Sequence, residues 1–585
     1  MFTIVLGTIF ATWASFVVSL ATHNLQVWPF PVVFILTILV RMGSDPLHSL
    51  PHRIRSLSPL FWLTVVGWGL FLVKLFSQML VVNADGIWAG GSNVWGDWAG
   101  HIGYIANWLY GANWPPQNPW YAGVRLSYPF LFDFTSAILV KLGLSLPWSL
   151  QLPGIVFGLA IVVLLFKLAQ KLTGSAIVGA VAITIFMLSG GLGFVYLIPQ
   201  QQLLPVPPGG VRELTHSYEG NIQWVNFVIS EMVPQRGILM GITATLVVFL
   251  LWLESKPKSY FLAGVVAGLI PFFHAHTFMT LAFVSGVLFL LKPQRIWWYF
   301  FLPAGILALP QFAYFMPQVS NYSSGFMRLQ WGWAAHVQHD NWAWFWFKNI
   351  GLMAILIPLF WLQAWFTNRR LFWLYLPFLL IFIACNIWVF QPWENDNSKL
   401  LRFWYLASAI LVAWGLVKFA TKNYLTKVLA IIALVVITVS GAVDATSWLN
   451  FDQNKLQMWS RDDIQLATEV KRLTPPTAVF LTNDNHNHWV VDLAGRKIVL
   501  GFRGWLWSWG INYSQREADV NKMFQGDVQT PQLLQKYHID YVIIGPGEKS
   551  NFNANVDYYL SHYPLLLDRN SQQIFDVSRQ GILGH

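Results

Sequence analysis

The stretch FLFDFTSAILVKLG (130–143) decides how this chain is threaded. It is apolar, with Asp133 and Lys141 near its ends, and it is shorter than the roughly 20 residues that a helix needs to cross a bilayer. Counted as a span, it would invert every loop that follows. Read as an interfacial helix on the outer surface, it leaves the basic loops on one side throughout.

Outward from that stretch, apolar runs recur from Phe2 to about Asp444 in a chain of 585 residues that is 55% hydrophobic and only 11% charged. With a mean hydropathy of +0.49, this composition excludes an ordinary soluble protein. Thirteen spans are expected, at about 2–20, 28–41, 59–82, 147–168, 175–198, 236–253, 259–273, 276–291, 296–316, 344–365, 371–390, 401–418 and 425–444. The 33 Trp suit aromatic belts at the two interfaces. If the spans alternate, Arg41, Arg53 and Arg55, Lys167 and Lys171, Lys256 and Lys258, Lys292 and Arg295, Arg369 and Arg370, and Lys418, Lys422 and Lys427 all share one side. That bias puts the N-terminus in the cytoplasm and the C-terminus outside.

The charge is uneven. Up to Asp444 there are 23 Lys+Arg and 12 Asp+Glu, and after it 13 and 14. The basic excess belongs to membrane loops, so it signals orientation and not a nucleic-acid surface. The lone Cys385 can form no intrachain disulfide. From about 451 the composition becomes that of a soluble α/β module. TAVFL (477–481), KIVL (497–500) and DYVIIG (540–545) read as buried strands, and 517–524 and 532–537 as helices. The expected architecture is a polytopic α-helical membrane part, 1–450, with a first large outer loop at 83–146, followed by a small extracytoplasmic α/β domain, 451–585.

Candidate chemistry gathers on the outer loops. In VWGDWAGHIGYIANWLYG (94–111), Asp97, His101 and Tyr104 share one helix face. A carboxylate there can take a proton from an incoming hydroxyl, although Asp97 would also suit a helix N-terminus. Asp85, Arg125 and Asp133 flank it. In IPFFHAHTFM (270–279), His274 and His276 sit where a short span breaks, placed either to donate to a phosphate at the bilayer rim or to cap the break. As a metal site, His-x-His lacks a third ligand nearby. QPWENDNSKLLRFWYLA (391–407) crowds Glu394, Asp396, Asn397, Lys399 and Arg402 at the head of a span. The first three suit sugar hydroxyls or a divalent ion, and the two cations suit an anionic lipid head group. SEMVPQRG (230–237) adds Glu231, Gln235 and Arg236, the last a phosphate clamp or a snorkelling cation. His216 and Glu219 are weaker candidates.

Together these features resemble the GT-C superfamily of integral membrane glycosyltransferases. The segment 96–111 looks like that family's acidic first-loop motif, and LPWSLQLPGIVFGLA leading to KLAQKL (146–172) looks like the span that follows it. The resemblance in arrangement covers about three quarters of the chain. It implies that Asp97 is the general base, that the donor is a sugar on a polyprenyl phosphate, and that transfer to an acceptor hydroxyl (of a glycan, lipid or protein) inverts the anomeric centre on the extracytoplasmic face. His101, Tyr104, Asp133, Glu394, Asp396 and Asn397 would then contact substrate. Arg236, His274, His276, Lys399 and Arg402 would hold the lipid phosphate. Many members carry two adjacent acids in the first loop, whereas here Trp98 follows Asp97, which leaves the second acid to Asp85, Asp133, Glu394 or Asp396. Without an evident trio of acids, the expectation is an enzyme that requires no cofactor, with a divalent metal as the alternative. The setting expected is a prokaryotic plasma membrane and cell-envelope glycosylation. A transporter or lipid flippase is the competing class. It would place charges near mid-span and repeat its helices, whereas the ionisable residues here cluster at outer helix ends.

Overall fold

A computed structural model describes residues 1–44, 58–197, 214–217, 220–319, 327–334 and 340–578. Arg53, Arg55 and Glu219 lie outside the described residues.

The protein is a multi-pass integral membrane protein. Among the described residues, six helices are long and apolar enough to cross a bilayer: Phe2–Thr22, Pro59–Phe76, Leu146–Thr173, Arg295–Phe315, Glu394–Ala420 and Tyr424–Ser447. Four shorter apolar helices, Pro29–Gly43, Ala176–Met187, Gly237–Trp252 and Ala275–Leu291, account for further expected spans. Their outer faces show what surrounds them. Ile35, Leu36 and Leu39 on one helix, Leu63, Val66 and Leu70 on a second, and Leu359, Leu362 and Phe366 on a third are exposed at helical spacing. Stripes of that size are tolerated in lipid and not in water.

Two expected spans are broken. The one at 344–365 is a pair of helices, Trp342–Ile350 and Met353–Thr367, bent by 94°. The turn between them rests on Gly351, whose φ of 58° is left-handed backbone that suits glycine. The run at 175–198 stops at Met187 and resumes only as Phe194–Leu197. Between them Ser440 donates its hydroxyl to Gly191 O (2.7 Å) and accepts from Phe194 N (3.1 Å), so side-chain bonds replace the interrupted helix ladder.

The deciding stretch forms the helix Leu131–Lys141, too short to span. It does not lie on a lipid interface, however. Leu131 to Ile138 are all buried, Phe130 and Phe134 pack on Phe16, and Leu131 N donates to Phe272 O (2.9 Å). Neighbouring helices cover the apolar face that membrane would otherwise have to cover.

In the C-terminal part, a five-stranded sheet runs in the order Lys497–Ile498, Val479–Leu481, Tyr541–Ile544, Gln572–Asp576, Leu565–Arg569. The first three strands are parallel and the last two antiparallel. A hairpin absent from the sequence expectation closes it, turning on Asn570 and Ser571 at φ 52° and 60°, the left-handed pair of a tight hairpin turn. The expected span at 59–82 ends as a helix at Phe76, and a second, three-stranded sheet joins Leu80–Asn83 and Gly86–Ala89, which follow it, to Leu456–Ser460. Glycine makes this junction close. A Cβ on Gly103 would stand 2.3 Å from the Trp120 ring and 2.7 Å from Asp492 Oδ1.

Candidate functional site

The helix Ser92–Tyr110 carries Asp97 and turns its partly exposed carboxyl toward the membrane part. Gln235 Nε2 donates to Asp97 Oδ2 at 2.7 Å. Burial raises the carboxyl above the usual carboxylate range. The charges of His101 and Lys399 and the Gln235 bond oppose this, and Asp396 adds to it. The same residues therefore place Asp97 within electrostatic reach of the 391–402 segment. Lys399 Nζ is paired with Asp396 Oδ1 at 3.0 Å and acts on both His274 and His276. The two imidazoles stand with ring centres 5.3 Å apart. His276 Nε2 bonds Gln391 Oε1 (2.6 Å), and His274 Nδ1 bonds Thr277 Oγ1 (2.8 Å). Lys399 thus lies within electrostatic reach of both Asp97 and the histidine pair, and His276 is tied to the 391–402 segment through Gln391.

A second group lies on the same helix face. His101, Asp133 and Arg236 are buried together. Asp133 receives His101 Nδ1 at 2.8 Å on one oxygen and Arg236 Nη1 at 2.7 Å on the other. Arg236 Nη2 continues to Ser136 Oγ at 2.8 Å. His101 Nε2 faces the Pro234 carbonyl at 3.1 Å. Both ring nitrogens face acceptors, and a ring carrying both protons satisfies both. Asp133 and Arg236 are thus engaged with each other inside the protein, and the network ties the Ser92–Tyr110 and Leu131–Lys141 helices to the start of the Gly237–Trp252 helix.

Arg402 is held in the same manner. Its Nε donates to Glu231 Oε1 at 2.8 Å, its Nη2 to Val225 O at 2.6 Å and Ser230 Oγ at 3.1 Å, and its guanidinium lies over Trp224 at 4.1 Å. Asn397 is wholly buried. It accepts from Phe390 N and donates to the carbonyls of Cys385 and Trp388, shaping the loop that carries Asp396 and Lys399. Glu394 pairs with Arg328 at 3.5 Å. Asp85 stands exposed in the turn between the first two strands. Arg125 lies over Tyr314 at 4.9 Å, and His216 bonds Gln223 at 3.4 Å.

Tyr104 sits in an aromatic cluster that the sequence reading left unassembled. It stacks on Tyr128 (5.6 Å) and meets Trp120 edge-on (4.9 Å), while Tyr128 also contacts Trp509 (5.9 Å). Trp505 stacks on Trp509 and lies against Gly100, one turn along from Asp97. Burial, with Asp133, Asp97 and Asp396 nearby, pushes the Tyr128 hydroxyl far up, so it stays a neutral donor. Tyr128 and Gln391 were not singled out from sequence because neutral residues in a Trp- and Pro-rich chain give no distinguishing signal. Among the described residues, no three His, Cys, Asp or Glu side chains gather closely enough to hold a metal ion.

No family model matches the chain, and no curated protein matches it by sequence. Two solved structures share its arrangement at low identity. One is the Archaeoglobus fulgidus oligosaccharyltransferase, tethered to an acceptor peptide containing an NVT sequon, with 10% identity, a TM-score of 0.48, and coverage of 89% of this chain and 74% of that one. The other is the arabinofuranosyltransferase AftD from Mycobacteria, with 11% identity, a TM-score of 0.48, and coverage of 89% and 40%. This chain therefore spans well under half the length of the second protein. Likeness at this level carries nothing about the residues of the present site.

Proposed function

We propose that this protein is a GT-C-type glycosyltransferase that moves a sugar from a polyprenyl-phosphate donor to an acceptor hydroxyl on the extracytoplasmic face. In this reading the membrane part runs to about residue 450 with its N-terminus in the cytoplasm, and residues 451–585 form the outer domain. The observation that supports it is a hydrogen-bonded carboxylate, Asp97, within electrostatic reach of a cation, Lys399, that also acts on two imidazoles at the start of an apolar helix.

Asp97 takes the acceptor proton as its oxygen attacks the sugar's C1. The bond from C1 to the phosphate oxygen breaks on the opposite face, the electron pair leaves with the phosphate, and the configuration inverts. Lys399, with His274 and His276 beside it, meets the charge that builds on that phosphate. Tyr128, a neutral donor beside Asp97, and Asp396 face the sugar. The His101–Asp133–Arg236 and Glu231–Arg402 groups hold the frame in place.

Purified protein, incubated with a panel of polyprenyl-phosphate sugars and analysed by mass spectrometry, should release polyprenyl phosphate in step with a glycosylated acceptor. Movement of intact donor between leaflets without any cleavage would instead favour the flippase class.

A further inference from the structure

A cavity among the described residues lies away from the site just described. It has a volume of about 570 Å³, within the ~300–1,000 Å³ typical of small-molecule sites. The Ala275–Leu291 helix sets its position. His276 stands at one end of that helix and Lys292, on the rim of the cavity, just past the other. At 1.5 Å per residue the two are about 24 Å apart, so the mouth faces the leaflet opposite the candidate site.

The walls are apolar, with Trp252, Leu288, Phe378 and Leu406 among them. At the deep end, Tyr375 has its hydroxyl satisfied by Ser408 (2.8 Å) and by Trp404 Nε1 (2.9 Å), while Trp252 Nε1 in the wall has no partner among the described residues. Leu291 and Trp373 line the cavity and are 41% and 39% exposed, which marks a sideways opening toward lipid. Lys292 and Arg370 stand at the rim, and no Asp or Glu lines the cavity. Neither cation forms a salt bridge among the described residues, whereas the neighbouring Arg369 lies on the Trp365 ring.

We propose that this cavity binds one anionic phospholipid from the leaflet opposite the candidate site, with an acyl chain inside and the head-group phosphate between Lys292 and Arg370. An apolar slot open to the bilayer takes an acyl chain. Two cations without a nearby carboxylate favour a head group of net negative charge over a zwitterionic one. The donor's polyprenyl tail does not explain the rim, because a tail descending from the outer site would bring no charge to it. The inference is independent of the transferase reading.

The test is native mass spectrometry of delipidated, full-length protein titrated with dioleoyl phosphatidylglycerol or dioleoyl phosphatidylcholine. One phosphatidylglycerol should bind per chain with at least ~10-fold preference over phosphatidylcholine. K292A/R370A should abolish the preference. A407F, which fills the deep end and leaves both cations in place, should lose the lipid. An equal affinity of the wild-type chain for the two lipids overturns the proposal without any variant. So does an unchanged preference in K292A/R370A, full retention in A407F, or displacement of the bound phosphatidylglycerol by polyprenyl phosphate.

Discussion

Gln235 donates to one oxygen of Asp97 at 2.7 Å, and the other oxygen has no protein partner among the described residues. The carboxylate is thus oriented by its neighbour and still open toward an incoming hydroxyl. Burial acts against its charged form, while the Gln235 bond and the charges of His101 and Lys399 act for it. The balance gives the pH dependence a sign.

Transfer requires Asp97 deprotonated, so the rate should fall as pH drops through a carboxyl value raised above the ordinary one. Gln235→Leu removes a bond that favours the carboxylate, so the acid limb of the kcat/KM profile should move to higher pH, by about 0.5–1 unit. A limb that stays in place would mean that another group titrates.

Lys399→Met should raise the donor KM about 10–100-fold, the size of one charge-assisted hydrogen bond to phosphate. Thermal stability should change little, because its partner Asp396 keeps contact with solvent. Michaelis kinetics beside a thermal melt separate the two effects. A large loss of stability with unchanged KM would assign Lys399 to the frame.

Arg236→Met leaves Asp133 buried with His101 as its remaining side-chain partner. The expected cost is about 3–5 kcal/mol, read as a lowered melting temperature in detergent. Asp133→Leu in the same chain should recover much of the loss, since the unpaired charge is then gone. A fully stable single variant would contradict the framing role.

Burial pushes the Glu548 carboxyl up, but His488 and the backbone N–H groups of Asn483 and Gly545 outweigh it and hold the group at about 2. A folded value below the unfolded one stabilises the fold above the ordinary carboxylate range and ceases to do so as pH falls toward 2. Hydrogen exchange should therefore show the Tyr541–Ile544 strand losing protection on acidification. Glu548→Gln should flatten that dependence, and an identical acid response in the variant would exclude Glu548 as its source.

The sequence made the membrane class, the helix around Asp97 and the strands near 479, 497 and 541 legible, because apolar period and run length report burial directly. Breaks escaped that reading where they rest on glycine conformation, as at Gly351, or on a distant hydroxyl, as at Ser440. The hairpin Leu565–Asp576 was hidden by its mixed polar pattern. Within the site, Asp97, Lys399 and the histidine pair were visible as isolated polar residues at helix ends. The reach of Lys399 to both Asp97 and the histidine pair was not visible, nor was the withdrawal of Arg236 and Arg402 into ion pairs with Asp133, 103 residues away, and Glu231, 171 residues away. Pairing across such separations is set by helix packing, and a single chain of letters does not record it.

The most direct measurement is sugar transfer by Asp97→Asn, a near-isosteric change that keeps a hydrogen-bonding group opposite Gln235 and removes the base. The account predicts a rate lowered by about 10²–10⁴-fold, with donor binding and melting temperature close to those of the parent. Transfer near the parent rate would show that Asp97, in the second turn of the Ser92–Tyr110 helix, is not the base, and the proposed chemistry would fall with it.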